Sequence, residues 1–282
     1  MKTYLVPVDF SAASVNAAEF AAALSHQTDV EHIVLLNTYY VTLTETLLPT
    51  PDMVLLSEEE IEQNVDERLG KLEQLKQSLS KKVRSGVEIS THLNRTHLVR
   101  AVVENVRAYN ADLVIIGSKG NSSNNDAKLG SHVINIAKTS PVPVVVVPKG
   151  YSLVTVQRVV VACDFNKVTE SVPMEALKKV LNHKGFDLLV VNVDSKNKHS
   201  TADAERRAAE TALYHMLQPY EPQYFFINDT NIISSVLRFA AEKEAQLVIA
   251  LPHKYSFLQS LIHTSVSQQL MESSAVPILI LK

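Results

Sequence analysis

The sequence predicts an α/β fold of two tandem doubly wound domains, each a five-stranded parallel sheet with helices on both faces. Three observations carry this. Short, nearly continuous apolar runs alternate with stretches of helical period, as expected of buried parallel strands joined by crossover helices. The whole alternation occurs twice, and the second half repeats residues of the first at fixed offsets. One glycine-punctuated loop, 117–131, lies between two of the apolar runs.

Taken in order, Lys2–Asp9 (KTYLVPVD) is the first strand, with Asp9 at its carboxyl end. Ser11 is the expected N-cap of a helix over Ala12–Leu24, with Val15, Ala18, Phe20 and Ala22 inward. His32–Thr38 is the second strand, which completes a right-handed βαβ unit. Tyr39–Leu56 holds two prolines and no clean period, and reads as a long loop over the strand ends. Ser57-Glu58-Glu59-Glu60 is a capping box. The helix it opens runs to about Lys82, with an apolar stripe read as Ile61, Val65, Leu69, Leu72, Leu75 and Leu79. Val87–Asn94 is the third strand, Thr96–Tyr109 a helix with Leu98, Val102 and Val106 inward, and Leu113–Ile116 and Val142–Val147 the fourth and fifth strands.

The glycines between those last two strands have separate physical uses. Gly117 is expected to end its strand at a sharp turn, where a residue without Cβ tolerates φ > 0. Gly120 lets backbone approach a ligand, and Gly130-Ser131 sits where the next helix opens. The first N–H groups of a helix have no internal partner and carry the positive end of its dipole, so phosphate oxygens suit them. The same residues would also make an ordinary βα turn with Ser131 as a helix cap, and both readings stay open on the loop alone.

The repeat is exact at several points. Asp164-Phe165 repeats Asp9-Phe10 and Asn192 repeats Asn37, both at an offset of 155. Asn228, Leu247 and Pro277 repeat Asn94, Leu113 and Pro143 at an offset of 134. The offset changes where the first half carries its long loop and its longer capped helix. The division falls at 149/150, where Pro148 and Gly150 break the pattern.

Gly-x-x-Gly, nine residues, then Gly-Ser, together with Val6-Pro7-Val8-Asp9 and Asn37-Thr38, resembles the nucleotide-binding signature of the universal stress protein family. The resemblance covers both halves, 1–149 and 150–282. It implies Rossmann-like, adenine nucleotide alpha hydrolase-like domains and a stress-response or signalling role. It also implies that ATP or AMP binds in the N-terminal half. Pro7, Val8 and Asp9 would then line the adenine and ribose pocket, and Thr38 would cover the base. Ile116, Gly117, Gly120, Asn121, Gly130, Ser131, His132 and Val133 would hold ribose and phosphates. For Asp9 a purely structural role, capping the helix that follows, is an equal alternative. Pairing through the last strands is a further implication, either in a homodimer or in a pseudo-dimer of the halves through Val142–Val147 and Ile278–Leu281.

There are departures from the family pattern. Family loops often carry Arg or Lys just after the second glycine, where this chain has Asn121. The loop 121–126 is wholly polar and ends in Asp126, which either repels phosphate or holds a divalent cation such as Mg²⁺ between phosphates. In the second half Gly117, Gly120 and Gly130 become Leu251, Lys254 and Thr264, and Ser265 stands opposite Ser131. Side chains there replace bare backbone and Pro252 removes a donor, so this half is expected to keep the fold without binding a nucleotide in the family's manner.

Composition narrows the rest. The chain has 282 residues, 46% hydrophobic, with a net charge of −3, so neither a nucleic-acid footprint nor a disordered chain is indicated. A single cysteine, Cys163, excludes an internal disulfide. The N-terminus is not read as a signal peptide, and no run reaches the roughly 20 apolar residues that span a bilayer. A cytoplasmic protein is the expectation. The ten histidines make no convincing metal set, and no Gly-x-Ser-x-Gly nucleophile elbow is present. Catalysis is expected to be absent or limited to slow ATP hydrolysis. The alternative to nucleotide binding is an interaction protein with a vestigial glycine loop.

Overall fold

The computed structural model describes residues 1–39, 58–118, 131–152, 155–162, 185–194, 214–215, 217–250 and 275–281. The Ser57 cap, Cys163 and the repeated Asp164-Phe165 lie outside them. The strands are β1 (Thr3–Pro7), β2 (His32–Thr38), β3 (Glu88–Asn94), β4 (Leu113–Gly117) and β5 (Val144–Val147), then β6 (Arg158–Ala162), β7 (Asp187–Asp194), β8 (Gln223–Asn228), β9 (Leu247–Ala250) and β10 (Ile278–Ile280). The described helices are α1 (Ala12–Leu24), α2 (Glu58–Ser80), α3 (Leu98–Ala108), α4 (Ser131–Thr139) and α5 (Ile232–Glu242).

All ten strands form one sheet in the order β3-β2-β1-β4-β5-β10-β9-β6-β7-β8. Within each half every pair is parallel. The halves join through β5 and β10, which run antiparallel with Ile278, Leu279 and Ile280 opposite Val146, Val145 and Val144. The pairing of the two last strands is therefore internal to the chain. β3 and β8 form the outer edges.

The duplication extends to hydrogen bonding. The Asp112 carboxylate accepts from the N–H groups of Lys2 (2.7 Å) and Thr3 (3.3 Å), fastening the start of β1 to that of β4. The Gln246 side-chain oxygen does the same for Gln157 and Arg158, at 2.8 Å each, at the start of β6. Val114 donates to the Pro143 carbonyl and Val248 to that of Pro277, both at 3.0 Å. Two prolines that cannot donate thus mark the entries of β5 and β10 by accepting instead.

Alternate residues of the first-half strands face opposite layers, as the period of a strand requires. Tyr4, Val6, Ile33, Leu35, Leu113 and Ile115 pack under α1 and α2 with Phe20, Leu72 and Leu79. Leu5, Val34, Leu36, Val114 and Ile116 pack under α3 and α4 with Val102, Val106, Val133 and Ile136. The α1/α2 core continues across the seam through Val145, Leu279 and Val161. In α1 the buried face is mostly alanine (Ala13, Ala17, Ala18, Ala21, Ala22), which lets the helix lie close to the sheet, while Val15 is only half-buried.

The stripe of α2 differs from the expected one. Leu69 is 42% exposed. The inward line is Val65, Arg68, Leu72, Leu75 and Leu79, the alternating three- and four-residue step of a helix face, so Leu69 falls one position off it. The segment between the halves is anchored on both sides. Asn16 on α1 donates to the Pro148 carbonyl (2.9 Å), and the Gln27 amide pairs with both the N–H (2.7 Å) and the carbonyl (3.2 Å) of Val156. The Tyr151 hydroxyl donates to the Gln246 carbonyl (3.0 Å). No helix among the described residues is long and apolar enough to cross a membrane.

Candidate functional site

In a parallel sheet a crevice opens at the carboxyl ends of the strands where the order reverses. In the first half that point is β1/β4: from β1 the chain builds outward to β2 and β3 on one side, and to β4 and β5 on the other. Pro7, Val8 and Asp9 leave β1 at this end, Thr38 ends β2, and Ile116 and Gly117 end β4. The helix that follows the glycine loop opens at Ser131, with His132 exposed and Val133 buried. Gly120, Asn121 and Gly130 lie outside the described residues, as do Lys119, Asp126 and Lys128.

Gly117 ends its strand as the sequence suggested, but not through a positive φ. It is the last residue of β4, in extended backbone, and has no positive φ. A side chain is excluded there because the first turn of α1 lies against it. A Cβ at Gly117 would meet the carbonyl oxygen of Ala13 at 2.5 Å and the amide nitrogen of Ser14 at 3.0 Å. The residue at this end of the sheet with positive φ is Phe10, at 62°. A bulky residue there stores about 1 kcal/mol or more.

A set of local hydrogen bonds on either side of Phe10 holds it in that conformation. The Asp9 carboxylate accepts from the Ser11 N–H (3.0 Å), an Asx-type turn. The Ser11 hydroxyl accepts from the Ser14 N–H (3.2 Å), so Ser11 is the N-cap of α1. The Ser14 hydroxyl accepts from the Asp9 N–H (3.2 Å) and donates to the Ser11 carbonyl (3.1 Å). Asp9 therefore shapes the turn at the head of α1 from two residues before the cap itself.

β2 contributes two neighbours with opposite aims. Thr38 is half-buried opposite Asn94 of β3, which bonds the N–H and hydroxyl of Thr96 and so turns the chain toward α3. Asn37 is buried on the α1/α2 side. Its amide donates to the Val8 carbonyl (2.7 Å), while its oxygen accepts from Arg68 (3.2 Å). The Arg68 guanidinium carbon stands 4.7 Å from the centre of the Tyr39 ring. The sequence marked Asn37 by its repeat at Asn192 and left Arg68 unread. The available signal was a charged residue on the inward line of α2, between Val65 and Leu72.

The described part of the second half has the same reversal at β6/β9, but its loop 251–274, with Leu251, Lys254, Thr264 and Ser265, lies outside the described residues.

A family model described as the universal stress protein family matches residues 1–148 and again 155–282. Among solved structures, a universal stress protein from Archaeoglobus fulgidus DSM 4304 is similar at TM-score 0.67 and 20% identity, over 99% of this chain and 96% of that one. A functionally unknown protein from Pseudomonas aeruginosa PAO1 is similar at TM-score 0.65 and 14% identity, over 100% and 92% of the two chains. A universal stress protein solved in complex with cAMP matches 53% of this chain and 98% of its own at 20% identity and TM-score 0.38. No curated protein matches the chain.

Proposed function

The chain belongs to the universal stress protein family as a tandem member, and from that premise we propose that its N-terminal domain, 1–149, binds one adenine nucleotide, ATP or AMP. The C-terminal domain, 150–282, does not bind one in the same way. The observation that carries the reading is the strand-order reversal at β1/β4. It brings Asp9, Thr38 and Gly117 to one edge of the sheet, with α4 opening at Ser131. Its physical support is the helix that opens at Ser131 on this side of the sheet, since the first N–H groups of a helix have no partner within it and suit anionic oxygens.

On this reading Pro7, Val8, Asp9 and Thr38 hold the nucleoside, and 116–133 hold the phosphates, with Mg²⁺ as the companion of ATP if Asp126 takes a cation. The role is nucleotide-responsive stress or signalling in the cytoplasm, with slow ATP hydrolysis at most. Native mass spectrometry of the purified protein, with ATP and Mg²⁺ titrated in, tests it. One adenine nucleotide per chain is expected. None at millimolar ATP would leave an interaction protein with a vestigial loop, and two would defeat the asymmetry between the halves.

A further inference from the structure

We propose that Arg68 is a positioning residue of the nucleotide site, acting through Asn37 on the β1 end that carries Asp9. The inference rests on the nucleotide reading above and names a residue on α2 outside the family motif.

The chemistry of the chain Arg68–Asn37–Val8 admits one arrangement. A guanidinium only donates, and a backbone carbonyl only accepts. The residue between them must accept on one side and donate on the other. Asn37 does both, and its amide orientation is fixed by its two partners rather than by choice: oxygen toward Arg68 at 3.2 Å, nitrogen toward the Val8 carbonyl at 2.7 Å. Asp at 37 would set a carboxylate against that carbonyl, and an apolar residue would leave the Val8 oxygen without this donor. Asn37 is 1% exposed, so the bond it makes is shielded from water and polarised by the charge behind it.

Arg68 is itself constrained. It takes a core-facing place on α2, its guanidinium carbon stands over the Tyr39 ring, and no carboxylate among the described residues forms an ion pair with it. One of its donors is directed at Asn37. Val8 is held from both sides, its N–H bonded to the Leu36 carbonyl (2.8 Å) and its own carbonyl to Asn37. The next residue is Asp9, from which the turn over Phe10 begins. Arg68 therefore fixes, from behind the sheet, the backbone from which the site's carboxylate departs.

The test uses the full chain and two readouts. Arg68→Met keeps the aliphatic stem and removes the donors. Amide exchange at Asp9 and Ser11, followed by NMR without nucleotide, should quicken in Arg68→Met, and calorimetric affinity for ATP should fall about tenfold, the scale of one charge-assisted hydrogen bond. Asn37→Asp should do the same with Arg68 intact. On an Asp9→Ala background Arg68→Met should cost nothing further, because its effect passes through Asp9. Unchanged exchange and affinity in Arg68→Met, or additive losses in the double variant, would overturn the assignment while leaving nucleotide binding standing. A wild type that binds no ATP would overturn both.

Discussion

A Cβ on Gly117 would stand 2.5 Å from the carbonyl oxygen of Ala13. The obstructing atom is helix backbone, which cannot rotate away as a side chain can. Gly117→Ala must therefore push the first turn of α1 off the end of β4, or distort β4. Overpacking of this kind costs about 1–3 kcal/mol. The unfolding free energy of the full chain, from urea titration, should fall by that amount and the midpoint with it, and nucleotide affinity should fall too, because the displaced turn carries Ser11 and Ser14. An unchanged midpoint would mean that α1 has slack here.

The two roles of Asp9 can be separated by one atom. Asp9→Asn keeps a side-chain oxygen for the Ser11 N–H and removes the charge. Asp9→Ala removes both. Loss of such a turn contact costs about 1 kcal/mol, the scale of a helix cap. Chemical denaturation should place Asp9→Asn near the wild type and Asp9→Ala below it. ATP affinity should drop in both if the carboxylate meets the ligand, and in Asp9→Ala alone if it only shapes the loop.

Gly130 precedes the helix that opens at Ser131. If backbone N–H groups there hold phosphate, a β-branched side chain stands in the way. Gly130→Val should weaken ATP binding by at least about 1.4 kcal/mol, a factor of ten. Affinity unchanged in a folded variant, measured by calorimetry, would remove the cradle from the mechanism.

The β5–β10 seam sets the assembly. Val144–Val147 is buried on both faces and paired on both sides, by β4 and by β10. A fragment ending at residue 149 bares that strand edge, a ready template for another chain. Light scattering should show the full chain unable to pair through β5, and the 1–149 fragment dimeric or aggregated. A monomeric fragment would show that the edge is blunted in some other way.

The legible parts of this molecule are those decided locally. The apolar runs located β1, β2, β4 and β5, because a strand covered on both faces holds few polar residues in its middle, while the second half followed from the repeat. His32–Thr38 begins and ends where the sequence put it, and Ser11 caps α1 as its position before an alanine-rich run implied. The unread parts depend on what arrives from elsewhere. Gly117 looked like a turn glycine because its own neighbours are strand and loop. The reason for it is Ala13, more than a hundred residues earlier in the chain. Leu69 looked like core because the stripe was stepped by four, and only the placement of Asn37 shows that Arg68 takes the inner position. Phe10 carries no sign of a left-handed backbone, which three hydrogen-bonding side chains impose on it.

Tyr4 provides a pH test of the α1/α2 core. The residue is fully buried, and burial pushes its hydroxyl from 10.0 to about 12. The folded state thus holds this proton more tightly than the unfolded chain. The contribution is complete below pH 10, where both states are protonated, and is lost as pH rises toward 12, because the unfolded chain ionises first. At pH 11 the loss is about 1.4 kcal/mol relative to pH 8. Tyr151, only half-buried, is also raised to about 12 by burial, and its contribution declines over the same window. Tyr4→Phe gives up the hydroxyl's bond to Thr28, so it should be less stable than the wild type at pH 8. Having no proton to lose, it should also decline less between pH 8 and pH 11. Urea titrations of both proteins at the two pH values measure the difference, with the rest of the chain common to each. Parallel declines would show that the Tyr4 hydroxyl ionises in the folded state as readily as in the unfolded one, and that this face of the sheet admits water.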